Sequence, residues 1–299
     1  MDKPGPTLHT VNIFLKPVLL YLKNFVLFSP SLKLKTKIMK TVIIPVDFSE
    51  TALNAVRYAA DMFTGKAGTT VILYHMFERD KEAATAGHYL DSLKAEMLEK
   101  GVASVDWVKE EGDDFIDSLG RLAYQKAATL VLMGITEREE WRQLIMTSNT
   151  VKMAEQNICP VMIVPPAAKF SGINNIALTS DFKDVDATTP VLAIKNVLEI
   201  FNANLHIVNV DNEHYVSLTE DYLMERAKMQ RLFAEFKPEF YFIGMNDFFE
   251  AIEQFSQDRN IDLIVIIPKN HTFMNSVFSS RHTKKLAYHT SVPLLAAHE

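Results

Sequence analysis

The segment Lys40-Thr41-Val42-Ile43-Ile44-Pro45-Val46-Asp47-Phe48-Ser49-Glu50 recurs in weaker form as Asn174-Asn175-Ile176-Ala177-Leu178-Thr179-Ser180-Asp181-Phe182-Lys183. Both begin as apolar runs suited to a buried strand, and both break at Asp-Phe. Asp47 and Asp181 are 134 positions apart. Leu130–Met133 then matches Leu263–Ile266, Thr150–Ala154 matches Thr283–Ala287, and Pro160-Val161 matches Pro293-Leu294, each at an offset of 133. Four landmarks in one order at a nearly constant offset indicate a tandem duplication, which constrains the architecture before any finer reading.

Each copy alternates strand and helix. In the first, strands are expected from Lys40, over Thr69–Met76, Ser104–Lys109, Thr129–Met133 and Pro160–Val164. The third alternates in polarity, as an edge strand does. Helices are expected after Ser49, a good N-cap, and over Lys81–Lys100, Gly112–Lys126 and Asn149–Gln156. In the second, strands are expected at Ile173–Thr179, Asn204–Val210, Phe240–Ile243, Asp262–Ile266 and Val292–Ala296. Its helices are expected at Asp184–Phe201, Leu218–Phe236, Asp247–Gln257 and Ser280–His289. Such alternation implies parallel strands joined by right-handed helical crossovers. The fold class is therefore α/β, as two tandem doubly wound domains with helices on both faces. Their expected boundaries are 39–166 and 173–299, with a short linker between.

Residues 1–38 differ from the rest. Val11 to Phe28 is apolar but carries Lys16, Pro17, Lys23 and Asn24. A spanning helix needs about 20 nearly uninterrupted apolar residues, so membrane contact by residues 11–28 is not expected. No small-residue cleavage site follows the run, which argues against a signal peptide. The segment reads as an N-terminal extension, or as upstream sequence with the start at Met39. The net charge of -6 argues against a general nucleic-acid-binding surface. One cysteine, Cys159, excludes an intramolecular disulfide and fits a reducing cytoplasm.

Val42 to Ser49, the strand ending in Gly134, and Cys159-Pro160-Val161-Met162-Ile163-Val164-Pro165 together resemble universal stress proteins. The resemblance covers Met39 to Glu299 as two copies, close in the first and loose in the second. It implies a five-stranded parallel sheet of order 3-2-1-4-5 in each copy and pairing of the two copies within the chain. A homodimer is left open. Some members of the family bind ATP through Gly-x2-Gly-x9-Gly-Ser/Thr after the fourth strand, where glycines let the backbone approach phosphates. Here Gly134 keeps the first place and Ser148 the hydroxyl, while Glu137 and Thr147 replace the other two glycines. In the second copy Ile267-Pro268-Lys269 stands where the first glycine would be.

The resemblance therefore implies an adenine nucleotide such as ATP in the first copy only, with no metal beyond the Mg that accompanies it. The implied binding residues are Pro45, Val46, Asp47, Ser49, His75, Met76, Gly134, Ser148, Asn149 and Thr150. Each has a plainer reading. Asp47 is equally suited to a turn that caps the next helix, Ser148 to Thr150 to an N-cap cluster, and His75 to a packed strand-end histidine. Cys159 reads as an inert packed thiol. No P-loop lysine motif and no Ser-His-Asp arrangement stands out. The expected function is a non-enzymatic, cytoplasmic stress-response protein regulated by a nucleotide. The alternatives are a scaffold that acts through protein partners, or a slow ATPase.

Overall fold

Ten short strands form one continuous sheet in the computed structural model, which describes residues 40–78, 80–135, 149–210, 219–267 and 292–297. The N-terminal extension expected over residues 1–38 and the helix expected at Ser280–His289 lie outside the described residues. The first five strands are β1 (Lys40–Pro45), β2 (Thr69–Phe77), β3 (Val105–Glu111), β4 (Ala128–Gly134) and β5 (Val161–Val164). The second five are β6 (Asn175–Thr179), β7 (Asn204–Val210), β8 (Glu239–Ile243), β9 (Leu263–Ile266) and β10 (Leu294–Ala296). The order is β3-β2-β1-β4-β5-β10-β9-β6-β7-β8. Each run of five thus follows 3-2-1-4-5, and β3 is an edge strand as its alternation predicts.

All pairings are parallel except one. β10 runs antiparallel to β5, with Leu294, Leu295 and Ala296 opposite Ile163, Met162 and Val161. The two halves therefore share one sheet, with an approximate two-fold relation at that seam. Both seam strands are buried along their whole length, as strands covered on both faces must be.

Helices cover both faces because alternate strand residues point to opposite sides. Val42, Ile44 and Val46 share a core with α1 (Glu50–Phe63), α2 (Asp80–Glu99), α6 (Val191–Phe201) and α7 (Glu220–Leu232). Ile43 faces the other way, into a core with α3 (Phe115–Gln125), α4 (Asn149–Glu155) and α8 (Phe248–Asp258). Each core crosses the seam: Met162 and Leu295 lie in the first, Ile163 and Leu294 in the second.

The helix expected over Asp184–Phe201 is instead two pieces, the single turn α5 (Val185–Thr188) and α6. Thr189 between them is extended, with φ −96° and ψ 117°. Pro190 explains the break, since it lacks an N–H and pushes its predecessor out of the helical region. The helix expected over Leu218–Phe236 likewise ends at Leu232 and gives way to a 3-10 turn at Ala234–Phe236.

Side-chain contacts beyond the seam secure the linker and join the halves. Asn54 donates to the carbonyls of Pro165 and Ala168, which fixes the start of the linker onto α1. Lys66 donates to the Ile200 carbonyl at 3.1 Å. This places a cation at the C-terminus of α6, where the helix dipole favours it.

Candidate functional site

The carboxyl end of β1 is a tight, self-bonded turn. Asp47 is exposed, and its Oδ1 accepts from the Ser49 amide at 3.0 Å and the Ser49 hydroxyl at 2.6 Å. Ser49 Oγ in turn accepts from the Ala52 amide and caps α1. Phe48, between them, sits at φ +61°. Asp47 thus supports the cap through Ser49 instead of capping the helix itself. Its Oδ2 has no hydrogen bond among the described residues and faces solvent as an acceptor.

Pro45 and Val46 are buried beneath this turn. The Val46 amide donates to the Tyr74 carbonyl, and the Val46 carbonyl lies 2.7 Å from His75 Nδ1. His75 is therefore held beside the turn at a fixed angle. Its ring packs at a tilt of 43° against Phe48 with centroids 4.7 Å apart, and Phe48 also meets the exposed Tyr89 at 5.4 Å. Met76, the next residue on β2, turns to the opposite face and packs near Gly112. The structure does not bring Met76 to the same side as His75, as strand alternation requires.

Gly134 ends β4 against the first turn of α1. A Cβ there would lie 2.4 Å from the Thr51 carbonyl oxygen. A glycine is required by this close approach of two backbones. Its own carbonyl accepts from the Thr150 hydroxyl at 3.1 Å, and Thr150 is buried. Asn149, beside it, is exposed. Ser148, Glu137 and Thr147 lie outside the described residues. Of the residues named from sequence, Pro45, Val46, Asp47, Ser49 and His75 converge at one strand end, and Gly134 with Thr150 closes its floor. Phe48 and Tyr89 were missed. The repeated Asp-Phe pair was the signal for the first; Tyr89 had none.

The equivalent turn in the second half repeats the backbone and changes the side chains. Phe182 is again left-handed, at φ +50°. Asn209 donates to the Ser180 carbonyl at 2.9 Å, the bond that His75 makes to Val46. Phe182, however, is buried and enclosed by Tyr222, Phe240 and Phe242. At the strand end matching Gly134 stands Ile267, also buried.

Cys159 is half-buried. Burial raises its thiol to about 11, only partly offset by a hydrogen bond with the Val131 backbone. The thiol stays protonated and is a poor nucleophile. Among the described residues no group of His, Cys, Asp and Glu is placed to hold a metal ion, and no helix is long and apolar enough to cross a membrane.

Residues 39–165 match the Universal stress protein family. The match spans β1 to β5, the first half of the sheet. A universal stress protein from Archaeoglobus fulgidus DSM 4304 has a similar fold at 14% identity, with a TM-score of 0.66 over 87% of this chain and 97% of that one. The cytoplasmic domain of a prokaryotic cation chloride cotransporter is also similar, at 13% identity and a TM-score of 0.53 over 88% and 96% of the two chains. At these identities the likeness is one of fold, and in both cases it extends over both halves of the sheet. No curated protein matches the sequence. The universal stress protein span thus contains the whole open strand end from Pro45 to Gly134, and its limit at residue 165 coincides with the end of the first half.

Proposed function

We propose that the protein is a non-enzymatic, cytoplasmic stress-response protein that takes an adenine nucleotide as a regulatory ligand in its first half. On this reading residues 39–166 and 173–299 are duplicate domains, and only the first keeps a ligand site. The observation that carries it is the open strand end: an exposed Asp47 carboxylate beside an aromatic shelf of Phe48, His75 and Tyr89. A carboxylate can accept from ribose hydroxyls, and an aromatic shelf can stack a base. Ligands of open α/β sheets bind at this end of the strands. His75 spends Nδ1 on a carbonyl, not on a hydroxyl, which supports binding over acid–base chemistry.

A second reading is a ligand-free scaffold acting through protein partners. Two observations favour it: Asp47 Oδ1 is already used within the turn, and the Thr150 hydroxyl is spent on Gly134. Thermal shift with ATP, ADP and AMP separates the two. A nucleotide at 100 times its Kd stabilises by about 2.7 kcal/mol. The expected outcome is a clear stabilisation of the wild type that Asp47→Ala loses. No shift with any of the three, and no nucleotide released on denaturing the purified protein, sinks the nucleotide reading.

A further inference from the structure

A cavity of about 520 Å³ opens at the amino ends of the strands, away from the turn of Asp47. Its size is that of a small-molecule site. Val42, Leu130 and Met162 from β1, β4 and β5 line one side, and Ala193, Val197 and Ile200 from α6 line the other. The site is thus built from both halves. Leu192 and Ile158 line it while 75% and 37% exposed, so the apolar lining continues out to solvent.

Few polar groups line it, among them Lys40, Thr129, Thr189 and Asn196. Lys40 is half-buried and forms no ion pair among the described residues. Burial lowers its pKa, against the opposing pull of Glu199. A cation partly removed from water gains most from a bound anion. Thr189 is 4% exposed, and its hydroxyl has no partner among the described residues. Buried hydroxyls are normally satisfied; this one has almost no surface on the cavity and is an unmet polar group beside it, not a contact within it. The Thr129 hydroxyl, by contrast, is already bonded to the Thr41 carbonyl.

We propose that this cavity binds an aliphatic monocarboxylate, with its chain between the sheet and α6 and its carboxylate paired to Lys40. The site is separate from the strand end assigned to the nucleotide, and neither reading depends on the other.

Isothermal titration with decanoate and 1-decanol tests it on the full chain. The wild type is expected to bind both. Lys40→Met should weaken decanoate about tenfold or more and 1-decanol by less than about twofold, as loss of a single charged contact predicts. Ala193→Trp, which fills the cavity, should abolish both, while Asp47→Ala should bind decanoate as the wild type does. If Ala193→Trp does not fold, a diazirine-bearing decanoic acid replaces it. Labels should then fall on peptides spanning Thr189–Phe201. Absence of decanoate binding, an unchanged affinity in Lys40→Met, or labelling confined to other peptides would overturn the proposal.

Discussion

Asp47-Phe48 and Asp181-Phe182 share one backbone and differ in what surrounds it. Both phenylalanines are left-handed, and both preceding carbonyls accept a side-chain bond from the neighbouring strand, from His75 in one case and Asn209 in the other. Around Phe48 the next aromatic is an exposed tyrosine. Around Phe182 three aromatics close in and bury it. The same turn therefore serves as an open shelf in one half and as core in the other. The turn's geometry suits both surroundings, because the side-chain-to-carbonyl bond and the left-handed residue are satisfied either way.

Substitution in the two phenylalanines gives the widest separation. Phe182→Ala should cost about 4 kcal/mol in urea unfolding, as loss of a fully buried aromatic does. Phe48→Ala should cost about 1 kcal/mol, since its ring is only partly removed from water. Equal costs would mean that the first strand end is as closed as the second.

Gly134 and Ile267 mark the second contrast. Where Gly134 admits the first turn of α1, the second half has Ile267, and its matching helix is a single turn followed by the Thr189–Pro190 break. Gly134→Ala drives a Cβ into the Thr51 carbonyl and should cost about 2 kcal/mol, measured by thermal or urea unfolding. A cost below about 0.5 kcal/mol would show that α1 moves aside without penalty, in the range of an ordinary surface change.

His206 on β7 opposes Ala177 as Ile72 on β2 opposes Ile43. Burial lowers the His206 pKa below its ordinary 6.5, with Arg259 adding to the effect and Glu239 opposing it. Its Nδ1 lacks a hydrogen-bond partner among the described residues. Glu239 lies 3.7 Å away, an attraction that operates only on the protonated ring. The unfolded chain takes up a proton that the folded chain resists. The neutral ring's contribution to stability is therefore present above about pH 6.5 and is lost as pH falls below it. His206→Ile should flatten the decline in stability from pH 7 toward pH 5, read by urea unfolding across that range. A variant with unchanged pH dependence would locate that decline elsewhere.

The smallest effect is expected at Asp47, whose bonds to Ser49 only support the cap. Asp47→Ala should cost about 0.5 kcal/mol, the low end for a cap contact. A loss above about 2 kcal/mol would make Asp47 chiefly structural.

Much of this fold is legible along the chain because its signals are short-range. β-branched runs mark β1, β2, β4, β6 and β7 to within two residues of their observed ends, and Ser49 announces α1. Pro190 is also in plain view, yet the apolar spacing that resumes at Val191 hides the break it causes. The site is half legible. Asp47 and Gly134 stand out by spacing and residue type, whereas Tyr89 is one aromatic in a polar helix until folding sets it beside Phe48.

The sequence by itself determined the strand–helix alternation and the repeated Asp-Phe turn. Hydrophobic period, caps and turn residues act over a few positions, so they can be read in order. Tertiary structure alone decided the rest. The antiparallel seam of β5 and β10 joins segments more than a hundred residues apart through three residue pairs. The Gly134 contact, the filling around Phe182 and the cavity under α6 likewise depend on which surfaces meet. Packing between distant segments sets them, and local pattern carries no record of that.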